Sequence, residues 1–408
     1  MKLNKICAAL AMCGLTLGAG TAHAQKLSGD KIVIGFVTDM SSLYSDIDGQ
    51  GGVEAIRMAI ADMEKQFPGK KIELVFADHQ NKADIASNTA RKWFDENKVD
   101  AIVDLVSSST AGAVMPVAAE KKRITLLSGP ATTKFTGELC TAYNVHYTYN
   151  NWALANGTGR EVVRQGGDTW FFVTADYVFG KSLEEDTTNV VKAAGGKVLG
   201  SARHPSPGNA DFSSFLLQAQ ASGAKIIGMA NAGGDTINTV KQAKEFGVTP
   251  KQSLAGLLVF ITEVHALGLP TAKGLYLTES FYWDLNDDTR KWSKRFQDHP
   301  DNKKKAMPTM IQAGLYSAVT HYLNALKAVG TDDADPVIAK MKATPVKDFF
   351  ANGVIGPDGL HRHDMYLFQV KSPEESKYPW DYYKVVKKIP AGEAFPTVEM
   401  QKCPLVKK

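Results

Sequence analysis

Continuous apolar runs alternate with segments of helical spacing along the first part of the chain. Residues 31–37 form a run rich in β-branched side chains, which is typical of a strand buried on both faces. Residues 53–63 then place apolar side chains three and four positions apart, as an amphipathic helix does. The same patterns predict strands at 72–78, 101–106 and 124–127 and helices at 83–96 and 109–121. Strict alternation of this kind indicates parallel βαβ units with helices on both faces of the sheet.

The alternation begins again after a junction at residues 144–151. The pattern predicts strands at 169–173, 197–200, 225–230, 252–256 and 274–278 and helices at 180–194, 212–222, 235–246 and 310–328. Residues 350–408 are richer in glycine, proline and aromatic residues, with a hairpin-like segment at 365–370. A chain of 408 residues is also too long for one ordinary compact domain. We therefore expect an α/β protein of two Rossmann-like lobes with parallel sheets.

The first 24 residues have the pattern of a secretory signal peptide. Lys2 and Lys5 give a positive start, residues 6–22 are mostly apolar and small, and a small-x-small triplet ends at Ala24. Cleavage after Ala24 would make Gln25 the first residue of the mature protein. No later apolar run approaches the roughly 20 residues of a membrane span. These features predict an exported, soluble, periplasmic protein.

The cysteines are interpreted in the light of this export. Met12 precedes Cys13 where a lipoprotein signal needs a small residue, so lipid attachment is the less favoured alternative. Cleavage leaves only Cys140 and Cys403, which allow one intramolecular pairing, and disulfides persist in exported proteins. We expect a Cys140–Cys403 bridge that ties the C-terminal tail to the body, with two free thiols as the alternative. Two cysteines are too few ligands for a metal site.

Composition and motifs exclude several functional classes. The chain is 44% hydrophobic and 22% charged, and its formal charge of +4 falls to +2 without the signal lysines, which argues against a dedicated nucleic-acid-binding protein. The sequence contains no G-x-S-x-G elbow, no H-E-x-x-H and no phosphate loop, and the glycines at 49–52 lack dinucleotide-binding spacing. We therefore predict no enzymatic activity, no cofactor and no metal site.

Hydroxyl residues follow the predicted third strand. Ser107, Ser108, Ser109 and Thr110 lead into a helix, whose N-terminus presents free N–H groups and a partial positive charge. Ligands of open parallel sheets bind beyond the carboxyl ends of the strands, so this loop is a candidate carboxylate site. Simple N-capping is the alternative, although a cap needs one such residue.

Three other strand ends supply candidate contacts. The loop after the fourth strand lies beside the serine run in a parallel sheet, and two loops of the second unit occupy equivalent places. Their candidate residues are Pro130, Ala131, Thr132, Tyr177, Phe179, Asn231 and Ala232. Either aromatic side chain alone is more often part of a core than a ligand contact.

The order of these motifs resembles that of the type I periplasmic binding proteins of the branched-chain amino acid transport class. The resemblance covers nearly all of the chain after the signal and rests on residues 32–35 with 39–41, 107–110, 128–132 and 176–180. It implies one lobe from 26–148 plus 278–350 and a second from 149–277 plus 351–408. Three crossovers would form the hinge, and the ligand would lie between the lobes.

The resemblance also implies roles for individual residues. In similar proteins the ligand carboxylate is held at the positions of Ser107, Ala131 and Thr132, and Phe179 occupies the place of an aromatic contact from the second lobe. Amino-acid-binding members carry an acid in the region of Leu258, where this chain has none until Glu263. A buried ammonium without a counter-charge is costly, so an organic acid is favoured over an amino acid.

Aromatic residues near these loops suggest the nature of that acid. The candidates for stacking on an aromatic ring, or alternatively for the core, are Tyr44, Tyr177, Phe179, Phe260, Phe281, Tyr282 and Trp283. The chain is similar to the subgroup that imports aromatic acids such as benzoate. We therefore expect a monomeric substrate-binding protein that delivers a small carboxylate to an ABC permease in the inner membrane. The alternatives are an amino-acid-binding protein, a ligand-presenting sensor module and an exported hydrolase.

Overall fold

The computed structural model describes residues 27–206, 208–249 and 251–406. The predicted signal peptide, with its cleavage after Ala24, lies outside the described residues. Within these ranges, every helix is too short or too polar to cross a membrane.

Strands and helices alternate through most of the chain. The strands are β1 (Lys31–Thr38), β2 (Lys71–Asp78), β3 (Ala101–Asp104), β4 (Ile124–Leu127), β5 (Asn144–His146), β6 (Thr169–Ala175), β7 (Lys197–His204), β8 (Ile226–Ala230), β9 (Ser253–Gly256), β10 (Tyr276–Glu279), β11 (Val346–Lys347), β12 (Asn352–Ile355), β13 (His361–Arg362), β14 (Met365–Val370) and β15 (Tyr383–Ile389). The helices are α1 (Gly49–Met63), α2 (Ala83–Lys92), α3 (Ser108–Glu120), α4 (Asn151–Leu154), α5 (Arg160–Arg164), α6 (Val178–Ala193), α7 (Ser213–Ala221), α8 (Gly234–Glu245), α9 (Ile261–Leu267), α10 (Leu269–Ala272), α11 (Asp287–Asp298), α12 (Met310–Val329), α13 (Ala334–Ala343), α14 (Ala391–Ala394) and α15 (Val398–Gln401).

The first lobe is built on a parallel five-stranded sheet in the order β2-β1-β3-β4-β5. The inner strands β1 and β3 are buried on both faces, which explains their continuous apolar sequence. Helices α1 and α12 pack against each other, as do α2 and α3. Gly35 of β1 lets Trp93 lie directly on the sheet, because a Cβ at this position would lie 2.8 Å from the indole ring.

The second lobe is built on a seven-stranded sheet in the order β15-β14-β10-β9-β8-β6-β7. Strands β6 to β10 are parallel, whereas β14 pairs antiparallel with both β10 and β15. The hairpin-like segment predicted at 365–370 is therefore an antiparallel addition at one edge of an otherwise parallel sheet.

The chain crosses between the lobes at three places. The crossings follow β5, at residues 147–150, then β10, at 280–286, and finally β13, at 363–364. Helix α11 returns to the first lobe, where Arg295 pairs with Asp62 of α1 at 2.8 Å. The expected fold class, two lobes of the type I periplasmic binding architecture, is confirmed.

The lobe boundaries differ from those expected from the sequence. The expected boundary at residue 278 falls inside β10, which belongs to the second sheet as far as Glu279. Residues 351–362 lie with the first lobe rather than the second, because Leu360 forms a parallel bridge with His146 at the end of β5. The C-terminal tail also returns to the first lobe, where Cys403 forms the expected disulfide with Cys140.

Candidate functional site

A small cavity lies where the carboxyl ends of the two sheets face each other. Its lining residues are Tyr44, Ile47, Val106, Ser108, Gly129 and Ala131 from the first lobe, Tyr149 from the first crossover, and Tyr177, Phe179, Ala232 and Leu258 from the second lobe. Four of these side chains are aromatic, and none of the lining residues is charged. The free space between these side chains is only about 10 Å³, room for about one water molecule, so the lining side chains must move apart to admit a larger guest.

The N-terminus of α3 is the strongest anion-binding feature next to this cavity. Ser107 caps the helix, since its Oγ accepts a hydrogen bond from the backbone N–H of Ser109 at 3.3 Å. Just before it, Asp104 and Leu105 both have a φ of 73°, in the left-handed region. Asp104 supports this unusual turn by accepting the backbone N–H of Val106 at 2.7 Å. The helix therefore starts directly at the cleft, with its free N–H groups at that end.

Ser108 joins the first helical turn to the neighbouring loop. Its Oγ accepts hydrogen bonds from the backbone N–H groups of Ala131 and Thr132, both at 3.3 Å. The loops after β3 and β4 therefore lie side by side, as the order of the parallel strands requires. Thr132 is fully buried, and its Oγ1 has no hydrogen-bond partner among the described residues. A buried hydroxyl of this kind is costly unless something satisfies it.

Two tyrosines connect the lobes across the cavity. The hydroxyl of Tyr44, from the first lobe, is hydrogen-bonded to the hydroxyl of Tyr177, from the second. Burial raises the pKa of both phenols above their usual value, so both stay neutral donors at physiological pH. The nearby hydroxyl of Ser107 lowers the pKa of Tyr177 and so partly offsets the effect of burial. Asp39 fixes the loop that carries Tyr44 by accepting its backbone N–H at 2.9 Å.

The loops of the second lobe are held by a buried carboxylate. Glu263 accepts hydrogen bonds from the backbone N–H of Phe260, at 2.7 Å, and from that of Gly233. Burial raises the pKa of Glu263 to about 8. Gly233 has a φ of 66° and lies close to Leu43 of the first lobe. A Cβ added to Gly233 would lie 2.5 Å from the carbonyl oxygen of Leu43. Glu263 therefore ties the loops after β8 and β9 together and is absent from the cavity lining.

The structure brings most of the sequence-predicted site residues to the cavity. Those in its lining are Tyr44, Ser108, Ala131, Tyr177, Phe179, Ala232 and Leu258. Ser107, Pro130 and Thr132 are adjacent in sequence to lining residues but do not line the cavity themselves. The carbonyl of Pro130 contacts the ring of His146, with 2.7 Å between O and Nε2.

Two predicted residues lie elsewhere. The amide of Asn231 is used inside the second lobe, where it donates to Thr239 at 3.0 Å and accepts from Thr236 at 2.9 Å. Phe281 follows β10 at the second crossover and packs into an aromatic cluster of the first lobe, with its ring centroid 6.0 Å from both Trp292 and Phe349. Its side chain is fixed by α11 and therefore lies outside the cavity lining.

Four lining residues were not predicted from the sequence, namely Ile47, Val106, Gly129 and Tyr149. Tyr149 could have been found from its place in the junction at 144–151, and its hydroxyl donates to the carbonyl of Gly129 at 2.6 Å. Gly129 is required for steric reasons, because a Cβ there would lie 2.7 Å from both Oδ1 of Asp104 and Cα of Val106. Among the described residues, no group of three or more His, Cys, Asp or Glu side chains could hold a metal ion.

Comparison with known proteins identifies similar chains. Residues 31–377 match the family model described as periplasmic binding protein. A periplasmic binding protein from Burkholderia mallei is 55% identical, with a TM-score of 0.90, covering 93% of this chain and 100% of that one. A branched chain amino acid ABC transporter periplasmic ligand-binding protein from Burkholderia xenovorans is 37% identical, with a TM-score of 0.82 and coverage of 92% and 99%.

More distant structures share the fold. A solute-binding protein of an ABC transporter from Rhodopseudomonas palustris, solved with 4-hydroxybenzoate, is 20% identical, with a TM-score of 0.80, covering 88% of this chain and 97% of that one. At this level of identity the likeness concerns the fold alone. No curated protein matches the sequence significantly.

Proposed function

Because this chain belongs to the periplasmic binding protein family, we propose that it binds one small aromatic carboxylate between its lobes and delivers it to an ABC permease. The family and the similar structures make the protein a solute-binding component of ABC transport and not an enzyme. The family also gives it an extracytoplasmic location. The chemical class of the ligand has to be inferred from the residues of the site.

The first lobe supports a negatively charged group in the ligand. The N-terminus of α3 directs free N–H groups and a partial positive charge towards the cleft. Ser107 caps this helix, and the hydroxyl of Thr132 in the adjacent loop has no partner among the described residues, so both hydroxyls are candidate donors to an oxygen anion. A carboxylate satisfies these donors and needs no cationic side chain.

The observation that carries the proposal is the combination of four aromatic side chains with an absence of acids in the cavity lining. An α-amino acid would bring an ammonium group that needs a carboxylate partner, because burial of an unpaired charge is costly. The nearest acid after Leu258 is Glu263, whose oxygens already accept two backbone N–H groups. Tyr44, Tyr149, Tyr177 and Phe179 instead offer ring faces and edges to an aromatic guest.

An amino acid is the second candidate ligand. It is favoured by the Burkholderia xenovorans relative, which is described as a branched chain amino acid transporter protein. The aromatic acid is favoured by similar folds solved with 4-hydroxybenzoate and with benzoate, although these are 20% and 18% identical to this chain. The cavity chemistry favours the aromatic acid.

Binding would close the cleft about its hinge. The first lobe receives the carboxylate, and Phe179 and Leu258 of the second lobe then cover the ring. The ligand shifts the population towards the closed form because only that form provides both sets of contacts. We further propose that the permease recognises the closed form, that the protein is a monomer, and that export removes the first 24 residues. A ligand-presenting sensor would bind its guest in the same way.

A ligand screen tests the proposed class. The purified protein is heated with benzoate, 4-hydroxybenzoate, leucine, valine or acetate, since a ligand that binds only the native state raises the melting temperature. We expect the two aromatic acids to raise it and the amino acids to leave it unchanged, with an affinity near or below about 1 μM in calorimetry. A shift with leucine or valine alone would show that the ammonium is accommodated and would refute the proposal.

A further inference from the structure

A second contact between the lobes lies outside the ligand cavity. Thr133, in a short 3₁₀ helix at 133–136 that follows the carboxylate-site loop, donates a hydrogen bond from its hydroxyl to the carboxylate of Asp186. Asp186 lies on α6, which begins beside Tyr177 and belongs to the second lobe. Neither residue lines the cavity. The bond joins the two lobes, so a hinge motion that carries α6 away from the first lobe would break it.

From this geometry we infer that Asp186 and Thr133 form a latch across the closed cleft, and that closure is more favourable when the Asp186 carboxyl is protonated, so that ligand binding is accompanied by proton uptake. Asp186 is a positioning residue in this scheme, since it acts on affinity through lobe closure and does not touch the ligand. The inference rests on the proposed function for its ligand, but lobe closure can be measured without one.

The proton linkage follows from what closure does to the carboxylate. Burial in the closed form raises the pKa of Asp186 to about 6, and hydrogen bonds from Thr133 and Ser182 only partly offset this rise. In an open cleft the carboxylate faces water, where an aspartate has a pKa of about 3.9. A group whose pKa rises on closure takes up a proton on closing, so closure is favoured as the pH falls through 6.

The charged surroundings of Asp186 do not cancel this effect. Glu185, next to it on α6, raises its pKa further, and Lys134 across the cleft lowers it. The ammonium of Lys134 is itself paired with Glu138 at 2.8 Å. The other titratable residues on α6 and on the helices and strands packed against it are Lys181, Glu184, Lys192, Glu120, Arg160, Glu161, Arg164, Lys197, Arg203 and His204. Of these, Glu184 pairs with Arg203 at 3.3 Å and Lys181 with Asp176 at 2.9 Å.

The size of the effect follows from the two pKa values. With values of about 6 in the closed form and about 3.9 in the open form, closure should be about tenfold more favourable at pH 5 than at pH 7.5. Ligand affinity should rise by the same factor after correction for the protonation of the ligand itself. Asp186→Asn keeps an oxygen acceptor for Thr133 and cannot ionise, so its affinity should be independent of pH.

The experiment measures binding of benzoate by calorimetry at pH 5 and pH 7.5 for the wild type and three variants. Asp186→Asn should lose the pH dependence, and Thr133→Val should bind more weakly, with the larger loss at pH 7.5, because the lost hydrogen bond favours the ionised carboxyl. Glu245→Gln, which removes an exposed acid elsewhere on the second lobe, should retain the wild-type profile. A pH dependence that persists in Asp186→Asn would assign the proton to another group and overturn the inference.

Closure without ligand provides an independent readout. Small-angle X-ray scattering should give a smaller radius of gyration at pH 5 than at pH 7.5 for the wild type and no such difference for Asp186→Asn. If benzoate fails to bind but this scattering difference is seen, the proposed ligand is wrong and the latch stands. Closure that is equally independent of pH in both proteins would refute the latch, whatever the ligand proves to be.

Discussion

Replacement of Ser108 by alanine tests whether Ser108 holds the loops after β3 and β4 together, as the structure indicates. The change removes one hydroxyl that accepts two backbone N–H groups, those of Ala131 and Thr132. All three residues are buried, so no water can readily replace the lost acceptor. The side chain becomes smaller by one atom only, and alanine is a good helix former, so the helix itself should persist.

The expected loss is set by those two donors. A buried donor left without a partner costs about 1–3 kcal/mol, but both bonds are long, at 3.3 Å, which places each near the lower end of that range. We therefore expect a total loss of about 2 kcal/mol in the free energy of unfolding of the first lobe. For a lobe of this size, that loss lowers the melting temperature by about 4–8 °C.

Scanning calorimetry of the ligand-free protein measures this change, and Ser109→Ala is the matched control. Ser109 is the next residue of the same helix, and its side chain makes no hydrogen bond among those of the described residues. Its replacement should change the unfolding free energy by less than about 0.5 kcal/mol. Equal melting temperatures for the two variants would refute the reasoning, because Ser108 would then not be the link between the loops.

Three further predictions concern the rest of the closed structure. Tyr177→Phe removes the hydroxyl that bonds to Tyr44. Because one hydrogen bond contributes about 1 kcal/mol, the ligand affinity measured by calorimetry should fall about fivefold. Unchanged affinity would show that this bond does not support closure. Reduction of the Cys140–Cys403 bridge should destabilise the first lobe by about 2–5 kcal/mol in urea unfolding, and a midpoint unaffected by dithiothreitol would contradict this. The free energy of unfolding should fall from pH 5 to pH 8, because the raised pKa of Glu263, about 8, keeps a proton on the native state that the unfolded chain has already lost. Glu263→Gln should flatten this part of the profile of urea midpoint against pH. A profile identical to that of the wild type would show that Glu263 does not titrate in this range.

The parts of the fold that the sequence predicted are those where burial alone determines the pattern. Strands β1 and β3 are covered on both faces, so their apolar runs are continuous and both were located, although β3 ends at Asp104, two residues before the predicted end. Strand β7 extends to His204, four residues beyond the predicted segment, because it lies at a sheet edge and alternates exposed and half-buried positions. The two-residue strands β11 and β13 carry too little sequence to show any periodicity.

The candidate site was predictable where it depends on loop chemistry and not where it depends on the direction of a side chain at the hinge. Ser108 and Ala131 follow strands whose order fixes their neighbours, so the sequence sufficed. Tyr149 and Phe281 are both aromatic residues at crossovers, yet Tyr149 lines the cavity and Phe281 packs against Trp292. Tyr149 is held by its hydrogen bond to the carbonyl of Gly129, and Phe281 by its contacts with Trp292 and Phe349, none of which a local pattern reveals.

Glu263 shows how such packing determines which side chains line the cavity. It lies five residues after Leu258, close enough for its carboxylate to have served an ammonium ligand. The carboxylate instead turns back to the start of α9, where it accepts the N–H of Phe260, and also holds the Gly233 loop. This arrangement satisfies two backbone donors that would otherwise be buried without partners. Glu263 therefore shapes the second-lobe wall without entering the cavity. The absence of acidic side chains from the cavity lining is a consequence of how Glu263 holds the loops after β8 and β9 together.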